Sequence, residues 1–197
     1  MDIDELHAAQ AQRLMVLCGP SGAAKSSVRN LVREYYPWVH FAVSCTTRGP
    51  RPGEIDGADY HFVSTDRFES MIAAGELLEW SSHAGNLYGT PRGPIEASLR
   101  SGVPVLAMVD LHGARRIRSV APRARQVVVA PPARREPTGR RGAEDDAGLE
   151  RRPAAAREEP AAEFEFDHTV ANVSLEQAAA KLLELLIAPT ADRPGAF

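Results

Sequence analysis

The segment Gly19-Pro20-Ser21-Gly22-Ala23-Ala24-Lys25-Ser26, with Ser27 next, stands between a short apolar run and a helix-compatible stretch. A glycine-rich turn that follows a buried strand and opens a helix aims backbone N–H groups, and the positive end of the helix, at polyphosphate oxygens. A lysine there adds a compact charge, and the hydroxyl after it can ligate Mg²⁺. The order and spacing are those of a P-loop, except that the pattern wants glycine where Ala24 stands. If that position needs a positive φ or close phosphate approach, a Cβ costs about 1–2 kcal/mol and weakens ATP binding. Of 23 basic residues only Lys25 and Lys181 are lysines. A lysine placed here in an arginine-dominated chain indicates a site that uses a flexible point charge and not a planar fork. The expected ATP-binding residues are therefore Gly19, Pro20, Ser21, Gly22, Ala23, Ala24, Lys25, Ser26 and Ser27, with Lys25 catalytic and Ser26 the metal ligand.

A second set of candidate groups lies downstream. Arg48 and Arg51 sit in a loop stiffened by glycine and proline, and with the phenols of Tyr60 and Tyr88 they form a donor cluster suited to one phosphate group. The bland alternatives are solvated loop charges for the arginines and core packing for Tyr60. Glu79, beside Trp80 on a predicted strand, is harder to explain structurally.

The stretch Ser44-Cys45-Thr46-Thr47-Arg48-Gly49-Pro50-Arg51-Pro52-Gly53-Glu54, continuing through Asp59-Tyr60-His61-Phe62, resembles the GMP-binding segment of guanylate kinases. The resemblance runs on, in family order, through Gly75-Glu76-Leu77-Leu78-Glu79-Trp80, Gly85-Asn86-Leu87-Tyr88-Gly89-Thr90-Pro91, Asp110-Leu111-His112-Gly113-Ala114, Ala130-Pro131-Pro132 and Val170-Ala171-Asn172. It implies that Ser44, Arg48, Arg51, Tyr60, Glu79, Tyr88, Thr90 and Asp110 bind GMP. The chemistry agrees with that implication. Guanine presents two adjacent donors, N1–H and the 2-amino group, which one carboxylate such as Glu79 can accept, while the Ser44 and Thr90 hydroxyls can serve O6. Adenine lacks the donor pair and would leave a buried carboxylate unpaired, which is how polar sites discriminate by about 10⁴.

Two departures from the family pattern bear on catalysis. Met108 stands where an acid is expected, leaving Asp110 as the remaining carboxylate of that strand end. In the region after Pro131-Pro132, where the family has an arginine-bearing lid over ATP, Arg141 and Arg152 match two of the arginines, and an earlier one has no clear counterpart, with Arg140 or Arg135 the candidate substitutes. Pro137, Pro153 and Pro160 occupy positions expected to hold leucine, and a proline inside a helix costs about 3 kcal/mol. Residues 131–164 carry almost no large apolar side chain, so they suit either a mobile functional lid or a disordered insert.

The elements that must position these groups follow from hydrophobic periodicity. Residues 14–18 form a continuous apolar run, the mark of a strand buried on both faces. Similar runs cover 38–43, 103–109 and 126–130. Helices are predicted over 26–35, over 65–74 with Thr65 as N-cap and Gly75 past the end, and over 95–100. Strands over 77–81 and 87–88 flank a Gly85-Asn86 turn, and 174–187 is an amphipathic helix with Leu182, Leu183, Leu186 and Ile187 on its apolar side. The expected class is α/β: a P-loop NTPase-type parallel-sheet core flanked by helices, with a GMP-binding insert and a lid insert. The expected division is an N-terminal tail over 1–11, one domain over 12–188 with the GMP-binding region at 44–92 and the lid at 133–162, and a C-terminal tail over 189–197.

Composition sets the outer bounds. A chain of 197 residues with 44% hydrophobic and 25% charged side chains fits one globular domain with a real core. A formal charge of -3 argues against a dedicated nucleic-acid binder. No run approaches the roughly 18 apolar residues of a membrane span, and the N-terminus lacks a signal-like apolar core, which makes the cytoplasm the expected location. Cys18 and Cys45 are expected as reduced thiols. The histidines have no metal-ligand spacing. The expected reaction is ATP + GMP giving ADP + GDP with Mg²⁺, dGMP being a second acceptor, in a monomer or homodimer. Its efficiency is expected to be lowered by Ala24, Met108 and the lid prolines. The alternatives are a non-catalytic GMP-binding module, or a kinase for another small phosphorylated acceptor. No nucleophile, base and orienter set is required, because a GMP phosphate oxygen is already a nucleophile.

Overall fold

The computed structural model describes residues 11–19, 25–130, 166–171 and 174–187. Its core is a five-stranded sheet in the order β2-β7-β1-β8-β9, with every neighbouring pair parallel. The strands are β1 (Leu14–Cys18), β2 (His40–Ala42), β7 (Val105–Met108), β8 (Arg125–Ala130) and β9 (His168–Ala171). Successive side chains of a strand point to opposite faces, and β1 divides accordingly. Leu14, Val16 and Cys18 join one apolar cluster with Ile95, Leu99, Ala114 and Ile117, while Met15 and Leu17 join another with Val32, Ala178, Leu182 and Leu186. Helices α3 (Arg92–Arg100) and α4 (Leu111–Val120) thus cover one face, and α1 (Lys25–Tyr35) and α5 (Leu175–Ile187) the other. The unbroken apolar runs of β1, β7 and β8 are what a sheet covered on both sides requires.

A second, mixed sheet of order β4-β3-β6-β5 is built from β3 (Cys45–Thr46), β4 (His61–Phe62), β5 (Leu77–His83) and β6 (Asn86–Pro91). Together with α2 (Thr65–Ala73) it encloses its own cluster of Cys45, Phe68, Met71 and Leu77. The Cys45 thiol is buried, donates to the Gly89 carbonyl at 3.3 Å, and is pushed up to about 11, chiefly by burial. Cys18 is also buried and forms no disulfide, and the two thiols stand in different cores. Among the described residues no helix is long and apolar enough to cross a membrane.

Several local boundaries differ from the periodicity. Ser64, not Thr65, caps α2: its Oγ accepts from Arg67 N–H at 3.2 Å, and Gly75 follows at φ 65. Helix α3 begins at Arg92, because Pro94 lies in the first turn, where its missing N–H has no intrahelical partner to lose. The hairpin turn is Ala84-Gly85, at φ 50 and 77, one residue earlier than expected. Asn86 instead opens β6, and its Nδ2 donates to the Ala84 carbonyl at 3.1 Å. On α5 the buried seam is Ala178, Ala179, Leu182, Leu185 and Leu186, whereas Ile187 is 60% exposed. The apolar stripe follows the i, i+3, i+4 rows and has turned away from the core by the last residue.

Candidate nucleotide site

β1 ends at Cys18, and α1 starts at Lys25, so Gly19 is where the chain leaves the central strand of the core. Gly19 has φ +150, and a Cβ there would lie 2.5 Å from the Val129 carbonyl oxygen of the adjacent strand β8. A Cβ so close to a carbonyl oxygen would force the backbone to shift, which is why glycine suits the start of the loop. Lys25 and Ser26 open α1, and Ser27 is exposed on it. Pro20, Ser21, Gly22, Ala23 and Ala24 lie outside the described residues, as do Arg135, Pro137, Arg140, Arg141, Arg152, Pro153 and Pro160. So do Asn172, all of the expected lid and all of the expected C-terminal tail. Met108, at the end of β7, packs against the apolar cluster around Met15 and Leu17.

The second sheet brings most of the other candidates onto one surface. Glu79 of β5 lies opposite Thr90 of β6 and is only 7% exposed, Thr90 1%. The Thr90 hydroxyl donates to Glu79 Oε1 at 2.6 Å. Burial pushes the Glu79 carboxyl up to about 7; Asp110 adds to the rise, while the Thr90 hydrogen bond and Arg116 oppose it. Tyr88 and Thr90 are two residues apart on β6, so their side chains leave the same face about 7 Å from one another.

At the Tyr88 end stands Arg48. Its Nη1 and Nη2 donate to the two carboxylate oxygens of Glu54, each at 2.9 Å, and Nη1 also donates to the Gly49 carbonyl at 2.7 Å. The guanidinium lies 5.3 Å from the Tyr60 ring centroid and 5.8 Å from that of Phe62, and Tyr60 packs edge-on to Tyr88 at 6.1 Å. The pairing with Glu54, with Tyr88 adding to it, holds Arg48 more firmly in its charged form. Glu54 is drawn below the usual carboxylate range by Arg48, and it also accepts from the Arg51 backbone N–H at 2.7 Å. Arg51 itself is exposed. Thr46 and Thr47 fasten the loop to the sheet: the Thr46 hydroxyl donates to the Leu87 carbonyl, and Thr47 Oγ1 accepts from Leu87 N–H, both at 2.9 Å.

Asp110 caps α4, its Oδ1 accepting from Gly113 N–H at 2.7 Å, and Ser81 Oγ approaches its Oδ2 at 3.4 Å. Ser44 contributes its carbonyl, which accepts from His61 N–H at 2.9 Å. The sequence candidates thus assemble as a buried Glu79–Thr90 pair, near Asp110, and an Arg48–Tyr60–Tyr88 corner on the same sheet. Ser44 and Arg51 join the arrangement through their backbones, the Ser44 carbonyl accepting from His61 N–H and the Arg51 N–H donating to Glu54.

Three further residues belong to this arrangement and were not singled out by sequence reasoning. Glu54 fixes the Arg48 fork; its only signal was an acid in a basic loop. Arg116 donates from Nη1 to the Trp80 carbonyl at 2.8 Å and lies 5.1 Å from the Trp80 ring centroid, tying α4 to β5 beside Glu79. Gly113 packs against the Glu79 carboxylate, and its signal was a glycine inside a helical pattern, which often marks a close approach.

Residues 11–188 match the family model described as Guanylate kinase. The chain is 47% identical over 184 residues to the guanylate kinase of Thermobifida fusca, covering 92% of this chain and 94% of that protein. It is 51% identical over 176 residues to the guanylate kinase of Streptomyces coelicolor, with 88% and 89% covered. Among solved structures it is similar to the guanylate kinase of Anaplasma phagocytophilum, with a TM-score of 0.69 and 28% identity over 88% of this chain and 83% of that one.

Proposed function

The chain belongs to the guanylate kinase family, and from that premise we propose that it transfers the γ-phosphoryl group of ATP to GMP, giving ADP and GDP. The observation that supports this most is the buried Glu79 carboxylate held by Thr90 within reach of the Arg48–Tyr60–Tyr88 corner. In this reading Glu79 accepts guanine N1–H and the 2-amino group while the Thr90 hydroxyl, whose proton goes to Glu79 Oε1, holds the carboxylate in place, and the Ser44 hydroxyl serves O6. Arg48, Arg51, Tyr60 and Tyr88 hold the GMP phosphate. Asp110 adds a carboxylate at the acceptor end. The acceptor region is residues 44–92, and the lid over 133–162 carries Arg141 and Arg152, which clamp the γ-phosphoryl group.

The chemical step needs no protein base, because the attacking GMP phosphate oxygen is ionised at neutral pH. Catalysis is then in-line positioning and charge neutralisation. The backbone N–H groups between Gly19 and Ser27 cradle the ATP phosphates, Lys25 neutralises the transferring group, and Arg48 holds the acceptor phosphate against its own charge repulsion. Ser26, in the first turn of α1, would hold Mg²⁺; a hydroxyl beside phosphate oxygens suits a cation that prefers oxygen ligands. When bound, that ion would screen the phosphate charges. dGMP is a second proposed acceptor, since the assigned residues read base and phosphate. Ala24, Met108 and the lid prolines are proposed to lower efficiency. Nothing among the described residues favours the non-catalytic alternative.

Coupled ADP release with GMP, AMP and CMP, alongside calorimetric GMP binding without ATP, tests the reading. Turnover with GMP and not with AMP or CMP is expected; tight GMP binding without any turnover would overturn it.

The titration of Glu79 sets a pH dependence. Only the ionised carboxylate can accept two donors, so below pH 7 GMP must displace a proton. With the group at about 7, GMP affinity is expected to be about tenfold weaker at pH 6 than at pH 8. Calorimetry at the two values checks this, and a flat profile counts against Glu79 as the guanine ligand.

A further inference from the structure

Gly113 lies in the first turn of α4, is buried, and has no positive φ, so conformational freedom does not explain a glycine there. In a helix it costs about 0.5–1 kcal/mol relative to alanine. Space does explain it: a Cβ on Gly113 would lie 2.9 Å from Glu79 Oε2, 3.1 Å from Glu79 Cδ and 3.0 Å from Val109 Cβ. The Glu79 carboxylate is wedged between this bare stretch of helix and the Thr90 hydroxyl on its other oxygen. The Asp110 cap bonds the Gly113 N–H, which keeps the turn from moving away.

The geometry points to Gly113 as a specificity-determining residue, whose missing side chain lets the Glu79 carboxylate settle against α4 at the orientation that accepts both guanine donors. This rests on the reading that Glu79 receives guanine. Gly113 does not touch the nucleotide; it is a positioning residue that acts through Glu79. Any side chain at this position displaces Oε2, tilts the carboxylate, and spoils the two-point contact while leaving the phosphate corner and the ATP site in place.

The test uses GMP and IMP, which differ by the 2-amino group, as acceptors and as calorimetric ligands. Gly113→Ala is expected to weaken GMP binding about tenfold and to reduce the preference for GMP over IMP by a similar factor, with KM for ATP unchanged. A retained preference overturns the proposal. Folding is read separately, in the Glu79→Asp background, where the carboxylate is one methylene shorter. Gly113→Ala should lower the melting temperature at least about twice as much in the wild type as in that background; equal losses overturn the proposal. Glu79→Gln separates the two levels. If it leaves the preference for GMP over IMP intact, the assignment of Glu79 fails and the proposal with it. If Glu79→Gln loses that preference and Gly113→Ala keeps it, the proposal alone fails.

Discussion

Glu79→Gln is expected to lower kcat/KM for GMP by roughly 10³ while leaving KM for ATP unchanged. The amide keeps one acceptor oxygen and turns the other into a donor that faces a guanine donor. Losing charged hydrogen bonds of about 1.5–3 kcal/mol each, plus that repulsion, amounts to about 4 kcal/mol. The same substitution is expected to stabilise the free protein at alkaline pH. Burial raises the Glu79 carboxyl from 4.5 to about 7, so its favourable contribution to folding is fully present below pH 4.5 and lost as pH rises through about 7. At pH 8 the wild type carries a buried charge that the amide removes, and melting should rise by a few degrees. At pH 4.5 the two proteins should melt together. Steady-state kinetics and calorimetric melting at both pH values check the pair of effects. A fall of less than tenfold in kcat/KM would show that Glu79 does not read the base.

Gly19→Ala is expected to be the most damaging substitution at the donor end. Its backbone sits at φ +150, outside the range of L side chains, and its Cβ would overlap the Val129 carbonyl at 2.5 Å. Neither atom can move independently, because Val129 is paired to Val170 in the sheet and Gly19 follows directly on β1. Strain of about 1–2 kcal/mol and overpacking of about 1–3 kcal/mol add to a loss of about 2–5 kcal/mol, or a melting temperature lower by about 4–20 °C. Displacement of the following loop should also lower kcat at saturating GMP. Gly93→Ala is the control: it lies in α3 with nothing within 4 Å of the added Cβ, and should leave both stability and rate nearly unchanged. Equal melting of the two variants would refute the argument.

The legibility of the molecule in its sequence divides along physical lines. β1, β7 and β8 were readable because a parallel strand covered on both faces has no choice but a continuous apolar run. Glu79, Thr90, Arg48, Tyr60 and Tyr88 were readable because their types match one chemistry and their surroundings carry family motifs. The α3 start was hidden by Pro94, which breaks a helix interior but not a first turn. The hairpin was misplaced because Asn86 favours turns, yet here it bonds the turn from the first residue of β6. Gly113 and Arg116 act across elements distant in the chain, on β5 from α4. No local pattern encodes such an approach; it exists only once the second sheet is laid beside the helix.

The burial of both thiols has a practical consequence. Cys18 and Cys45 are the chain's two cysteines, each enclosed in a different apolar cluster. Reagents that require an accessible thiolate will find neither readily. The protein therefore behaves at its surface as if it had no cysteine at all. A single one introduced on an exposed position such as Ser82 of β5 can carry a fluorophore or spin label selectively, without first rebuilding the interior, and report on the acceptor sheet as nucleotides arrive.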